Sequence, residues 1–188
     1  MVDVETLALE DEDALMPQIA AVAFDSKTFE VFGEFSECIS ILDLKKHGFT
    51  TDAETIKWWG EQDPELRKSV MNGTKPGAQV AKEFDEFLEY HCNGISFDIW
   101  ANGLLFDIPK LDYFMLYFDC APLSFRTRYN RLYDLRTLRS AARSCRGGEF
   151  TRAEKEIEQG AKHNALDDCL WQIKSVELCM KMMRGDEC

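Results

Sequence analysis

Residues 18–40, QIAAVAFDSKTFEVFGEFSECIS, decide the fold class of this chain. The apolar run over 18–25 predicts a buried strand and the alternating run from Thr28 to Ser40 predicts the next one, with Asp25-Ser26-Lys27 as the turn between them. Residues 1–5 predict a further strand ahead of both. Three strands this close in sequence favour an antiparallel start to a sheet.

The rest of the chain alternates helix and strand signals. The capping box Thr51-Asp-Ala-Glu54 and the pair Asp63-Pro64 each predict a helix start, and apolar spacing predicts a helix over 78–91, ended by Asn93-Gly94. The later signals predict a strand from Ile95 to Ala101, a helix over about 106–118, a short strand near Leu132, a helix around 134–144, a glycine-containing loop and a last helix over about 164–184.

This order predicts an α/β fold with a mixed β-sheet, three antiparallel strands followed by parallel strands, flanked by helices. The 188 residues suit one domain over 1–188. No apolar run approaches the roughly 20 residues that span a bilayer, so we expect no membrane partner. The seven cysteines are odd in number and lie in no CxxC pair, which favours reduced thiols and a cytoplasmic location.

Net charge is −12, which argues against a protein that grips long stretches of phosphate backbone. The exception is the segment Arg126–Arg146, where seven arginines and one aspartate give +6. A local basic patch on an acidic body suits an enzyme that holds a short single-stranded end. We therefore expect Arg128 and Arg131 to guide a single strand, and a solvated arginine-rich helix face is the alternative.

Acidic residues stand at three points that can carry metal chemistry. Asp3 and Glu5 alternate on one predicted strand, so their side chains point to the same face. Asp107 follows a strand and a glycine-containing turn, and His163 stands five residues before Asp168 at the start of the last helix. Taken singly, each has an ordinary explanation, such as a helix N-terminal charge for Asp107 or a surface histidine for His163.

Together these motifs resemble the DEDDh 3′–5′ exonucleases of the DnaQ-like, or RNase T-like, superfamily, which has an RNase H-like fold. The matching motifs are D-x-E at 3–5, a mid-chain aspartate after a strand, and H-x(4)-D at 163–168. The short segments at 55–59, 102–107 and 134–138 further resemble those of a small branch of this superfamily, which contains a mycobacterial 3′–5′ exoribonuclease and phage exonuclease A (DexA-like). The chain is thus identified as a bacterial or phage-encoded member.

The resemblance implies a function and a set of site residues. The function is 3′–5′ hydrolysis of single-stranded RNA or DNA by two Mg²⁺ or Mn²⁺ ions, which all-oxygen ligands suit. The resemblance implies metal ligands at Asp3, Glu5, Asp107 and Asp168, a general base at His163, and terminal-nucleotide contacts at Thr6, Leu7, Asn102 and Phe106. Of the adjacent Trp58 and Trp59, one can stack on a base and the other is expected in the core.

Two alternative functions and two further choices stay open at this stage. A catalytically silent nucleic-acid-binding module of the same fold is disfavoured, because all five site residues are present. An RNase H-like endonuclease shares the metal chemistry but does not need the H-x(4)-D pattern. The preference for RNA or DNA and the choice between a monomer and a homodimer are undecided by the sequence.

Overall fold

The computed structural model of the protein describes residues 1–92 and 96–185. Its strands are β1 (Val2–Glu5), β2 (Gln18–Phe24), β3 (Val31–Cys38), β4 (Ile99–Ala101) and β5 (Leu132–Asp134). Its α-helices are α1 (Ile41–Lys46), α2 (Ala53–Glu61), α3 (Pro64–Met71), α4 (Gly77–Cys92), α5 (Leu104–Tyr117), α6 (Leu135–Arg146), α7 (Gly148–Glu156) and α8 (Ala165–Arg184). None of the helices within these ranges is both long and apolar enough to cross a membrane.

The strands pair as the sequence predicts. β1, β2 and β3 form an antiparallel ladder in that order, with Val2 opposite Ala21 at one end of β1 and Glu5 opposite Gln18 at the other. β4 and β5 pair in parallel, and β4 lies beside β1. This α/β arrangement of three antiparallel strands and a parallel pair with flanking helices confirms the predicted fold class.

The two faces of β1 carry different chemistry because strand side chains alternate. Val2 and Val4 pack into a core that includes α4 and α5. On the opposite face of the sheet a second core is built with α8, which contributes Cys169. Asp3 and Glu5 belong to that second face, beside α8, so the alternation places both carboxylates where the last helix can reach them.

The boundaries of several elements differ from the predicted ones. Asp52 rather than Thr51 caps α2, and its Oδ1 accepts a hydrogen bond from the backbone N of Thr55 at 2.6 Å. The third strand begins at Val31, because the side chain of Asp25 accepts backbone hydrogen bonds that extend the preceding turn. Of the strand expected from Ile95, the part from Ile99 to Ala101 is formed, while residues 93–95 lie outside the described residues.

The expected glycine-containing loop after α6 is wrong, because residues 148–156 form helix α7. Phe150 is fully buried against Cys179 and Met182 of α8, and Glu154 forms an ion pair with Arg139 of α6. These tertiary contacts stabilise a helix whose own sequence opens with glycines, and local propensity is a weak guide in such a case.

Candidate active site

The carboxylates of β1 lie at the floor of a cleft. The side chain of Gln172, on α8, donates a 2.7 Å hydrogen bond from Nε2 to Oδ1 of Asp3. Glu5, two residues further along β1, lines the same cleft. Strand β1 therefore delivers two carboxylates to one place, as the D-x-E spacing predicts.

Asp107 reaches the cleft from the first turn of α5 and is only 4% exposed. The turn from β4 into α5 passes through Gly103 at φ = +133°, a backbone conformation that residues other than glycine rarely adopt. Asp134, at the end of β5, accepts a 2.8 Å hydrogen bond from the backbone N of Leu104. This bond joins β5 to the start of α5, which fixes the direction in which Asp107 enters the cleft.

The H-x(4)-D motif forms the third side of the cleft. Asn164 caps α8, with its side chain accepting from the backbone N of Leu166. His163 lies just before this cap at φ = +64°, and its backbone N donates to Oδ2 of Asp168 at 3.1 Å. Nε2 of Gln159 donates to the other oxygen of Asp168 at 2.9 Å. Asp168 thus holds the histidine loop against the first turn of α8.

The three segments meet in one place. Ligand atoms of Glu5, His163 and Asp168 all lie within 4.8 Å of one another, a geometry that can hold a metal ion. Together with Asp3 and Asp107 they line a cavity of about 310 Å³, called here the carboxylate cleft. The structure therefore brings together all five residues that the sequence predicts as catalytic.

Burial and mutual repulsion dominate the electrostatics of the carboxylate cleft. Burial, followed by the charges of Asp168 and Asp107, raises the pKa of Glu5 to about 8. The pKa of Asp3 is raised well above its ordinary value by burial and then by its three acidic neighbours. Burial also raises the pKa values of Asp107 and Asp168. Four carboxyls that resist ionisation side by side are a site that favours added positive charge.

The predicted terminal-nucleotide residues divide into two groups. Thr6 and Phe106 line a second cavity of about 700 Å³, called here the Trp58 cavity, and Phe106 also lines the carboxylate cleft together with Asn102. Leu7 lines neither cavity, because its side chain is buried in the core. Leu9, 54% exposed, lines the Trp58 cavity instead. The nucleotide contact expected at Leu7 stays a prediction, and Leu9 is a leucine that lines the Trp58 cavity.

The two adjacent tryptophans behave as predicted, with one in the core and one at the surface. Trp59 is 3% exposed, and its Nε1 donates to the backbone O of Thr6 at 2.9 Å. Trp58 is 39% exposed and lines its cavity. Its ring meets the ring of His163 edge to face, with 4.8 Å between centroids. Trp58 therefore lines the Trp58 cavity and also contacts His163, the candidate general base.

The two arginines expected to guide a strand, Arg128 and Arg131, do not line the carboxylate cleft. Arg131 forms an ion pair with Asp98 at 2.8 Å and lines a separate cavity beside Phe24, and Arg128 lines neither the carboxylate cleft nor the Trp58 cavity. Both precede β5, whereas the cleft lies beyond the C-terminal end of that strand. The predicted guidance of a strand by Arg128 and Arg131 stays a prediction, and Arg136, after β5, lines the carboxylate cleft.

Six residues that line the cleft were not predicted as site residues from the sequence, namely Val4, Arg136, Gln159, Lys162, Trp171 and Gln172. Helical spacing could have found two of them, because residues three and four positions after Asp168 lie on the same side of a helix. Arg136 follows the Asp134 cap within the first turn of α6. Lys162 precedes the histidine, and no simple pattern marks it.

Solved structures of two nucleases have a fold similar to that of this protein. The protein is similar to E. coli exonuclease I in a complex with single-stranded DNA over 98% of this chain and 40% of that chain, with a TM-score of 0.68 and 17% identity. Cell-death related nuclease 4 is similar over 98% of this chain and 63% of that chain, with a TM-score of 0.64 and 16% identity. At this level of identity, these likenesses show that the chain shares the RNase H-like fold of the two nucleases.

The chain belongs to the Rv2179c-like 3′–5′ exoribonuclease domain family, whose model matches residues 1–180. It is also 30% identical over 122 residues to the exodeoxyribonuclease of Enterobacteria phage T4. That alignment covers 59% of this chain and 52% of the phage protein, so the chain spans about half the length of this relative. Membership in the DnaQ-like exonucleases, expected from the motifs, is confirmed.

Proposed function

We propose that the protein hydrolyses single-stranded RNA or DNA from the 3′ end, one nucleotide at a time, in a single domain. The observation that carries this proposal is the convergence of four carboxylates from β1, α5 and α8 beside His163 in one cleft. The family is one of 3′–5′ exoribonuclease domains, and a cluster of carboxylates can hold the cations that catalyse phosphodiester hydrolysis.

Two Mg²⁺ or Mn²⁺ ions fit this cleft by the chemistry of its donors. Asp3, Glu5, Asp107 and Asp168 offer only carboxylate oxygens, which suit hard divalent cations, and their raised pKa values favour added positive charge. When bound, such a pair of cations lowers the pKa of the attacking water and stabilises the attacking and leaving oxygens of an in-line displacement.

The buried amide oxygens of Asn102 and Gln172 also support the fit. Oδ1 of Asn102 and Oε1 of Gln172 have no hydrogen-bond partner among residues 1–92 and 96–185, and both side chains line the carboxylate cleft. A buried acceptor without a donor costs about 1–3 kcal/mol. Water bound to the cations, or a substrate hydroxyl, can donate to these two oxygens.

His163 is assigned the removal of a proton from the attacking water by a ring nitrogen. Its backbone bond to Asp168 and the edge-on contact with Trp58 hold the imidazole at the mouth of the cleft. A positioned base of this kind accelerates proton transfer by about 10²–10⁴-fold. The proximity of His163 to Glu5 and Asp168 makes direct metal ligation the competing role, which a metal-binding measurement on His163→Ala separates from base catalysis.

In this proposal, the terminal nucleoside of the substrate binds in the Trp58 cavity. Its apolar lining of Leu9, Trp58 and Phe106 offers a surface on which a base can stack, and Thr6 adds a hydroxyl and backbone polar groups. The cavity adjoins the cleft through Glu5 and Phe106. A nucleoside held there places its 5′ phosphate at the carboxylates, as 3′-end trimming requires.

Matched 5′-labelled RNA and DNA oligonucleotides with Mn²⁺ or Mg²⁺ test this function. We expect products shortened one nucleotide at a time from the 3′ end, with EDTA preventing the reaction. A 3′-phosphate on the same oligonucleotide should block or slow it. Internal cuts would show an endonuclease, and the absence of any product from both oligonucleotides would show a binding module.

A further inference from the structure

The arrangement of the two cavities determines which way a bound strand can run. The Trp58 cavity and the carboxylate cleft share Val4, Glu5 and Phe106 as a common wall. A 3′ end with its last nucleoside in the Trp58 cavity and its scissile phosphate at the carboxylates must continue across the cleft. The next nucleotide therefore meets the far side of the cleft, where Arg136, Lys162 and Trp171 lie.

Arg136 and Lys162 are free to bind phosphate. Most arginines of the 126–146 segment have acidic partners: Arg126 pairs with Asp85, Arg131 with Asp98, and Arg139, Arg143 and Arg146 with glutamates of α7. Among the described residues, Arg136 and Lys162 have no ion-pair partner within 4 Å, and both side chains are exposed. Against the effect of burial, the positive charge of Arg136 lowers the pKa values of Asp107 and Asp134 from a longer distance. These two positive charges can attract the phosphates of a strand that must approach the cluster of carboxylates.

The ring of Trp171 is held in place from behind. The guanidinium of Arg139 lies 5.1 Å from the centre of the Trp171 ring. Nε of Arg139 donates to Glu154 of α7 at 2.6 Å, and the side chain of Glu154 is only 11% exposed. Helix α7 thereby fixes an aromatic wall of the cleft, and an ordered aromatic ring is a sequence-tolerant surface for a base.

We propose that Trp171, Arg136 and Lys162 form the binding site of the nucleotide that precedes the terminal one. Trp171 contacts its base or sugar, and the two cations contact phosphates of the strand upstream of the scissile bond. This inference rests on the proposed function, because it takes the terminal nucleoside and scissile phosphate to lie where that function places them. It explains why an acidic protein carries unpaired cations on one side of its carboxylate cleft.

A pair of substrates that differ only upstream of the scissile bond tests this subsite. The first is a trinucleotide, and the second is the p-nitrophenyl ester of a nucleoside 5′-phosphate, which has a terminal nucleotide but no preceding one. Hydrolysis of the ester breaks its bond to p-nitrophenolate and leaves the nucleoside 5′-monophosphate. Trp171→Ala should lower kcat/KM for the trinucleotide by at least about 5-fold and change kcat/KM for the ester by less than about 2-fold.

Further variants keep the test decisive. Trp171→Phe should recover most of the activity on the trinucleotide, and Lys162→Gln should show the same substrate difference as Trp171→Ala if alanine at 171 prevents folding. Lys174→Gln, an exposed position on the same helix, is the control and should change neither substrate. Parallel losses on both substrates, or no loss on the trinucleotide, would overturn the subsite. A wild-type protein inactive on both would instead overturn the proposed function.

Discussion

Replacing Glu5 by glutamine should stabilise the metal-free protein at alkaline pH. The pKa of Glu5 is raised from 4.5 to about 8 by burial and by its acidic neighbours. A carboxyl with a higher pKa in the folded chain than in the unfolded chain lowers stability as pH rises between those two values. At about 1.4 kcal/mol for each unit, the cost of ionising Glu5 is at most roughly 5 kcal/mol above pH 8.

Urea unfolding in EDTA at pH 5, 7 and 9 measures this effect. Wild type should lose stability across the series, and Glu5→Gln should lose less, because its side chain cannot ionise. The exposed Glu61 at the end of α2 supplies the control, since Glu61→Gln should keep the wild-type slope. Mn²⁺ should then stabilise wild type more than Glu5→Gln. Equal pH slopes for wild type and Glu5→Gln would refute the account of a repulsive carboxylate cluster.

The other predictions concern the base, the strand and the core. His163→Ala should lower turnover by about 10²–10⁴-fold with nearly unchanged Mn²⁺ affinity and partial recovery at higher pH; a loss of Mn²⁺ affinity in titration calorimetry would make His163 a ligand. Arg136→Gln should reduce the slope of log binding constant against log salt concentration by about 0.7 per lost phosphate contact. Arg128→Gln should reduce this slope less, and equal reductions by the two variants would contradict the proposed position of the strand. Trp59→Phe should lower the free energy of unfolding by about 1–3 kcal/mol, because the carbonyl of Thr6 loses its donor; an unchanged urea midpoint would show that this bond contributes nothing.

The carboxylate cleft was predictable because its geometry follows from local rules. Strand alternation alone places Asp3 and Glu5 on one face, and the motif order supplies Asp107, His163 and Asp168. The cationic side of the cleft was not predictable in the same way. Net charge over Arg126–Arg146 does not show that α7 and other segments neutralise most of its arginines, because those partners are distant in sequence.

The same limit explains the burial of Leu7 and the unexpected helix α7. Leu7 is apolar and next to the first motif, but its backbone N donates to Leu15 and its side chain enters the core, leaving Leu9 at the cavity. Residues 148–156 have a weak helix signal of their own and fold as a helix because Phe150 is buried against α8. Both outcomes depend on contacts made after the chain has folded, which periodicity does not contain.

Manganese binding measured together with 3′-end trimming tests the central claim most directly. Asp107→Asn keeps the shape of the buried side chain and removes its charge, and Asp119→Asn is the matched control, since Asp119 is exposed at φ = +58°, a conformation asparagine tolerates. We predict two Mn²⁺ per chain for wild type and for Asp119→Asn, with both trimming a 5′-labelled strand. Asp107→Asn should bind fewer ions and trim nothing. Full trimming with undiminished Mn²⁺ binding by Asp107→Asn would contradict the claim that the carboxylate cleft is the catalytic centre.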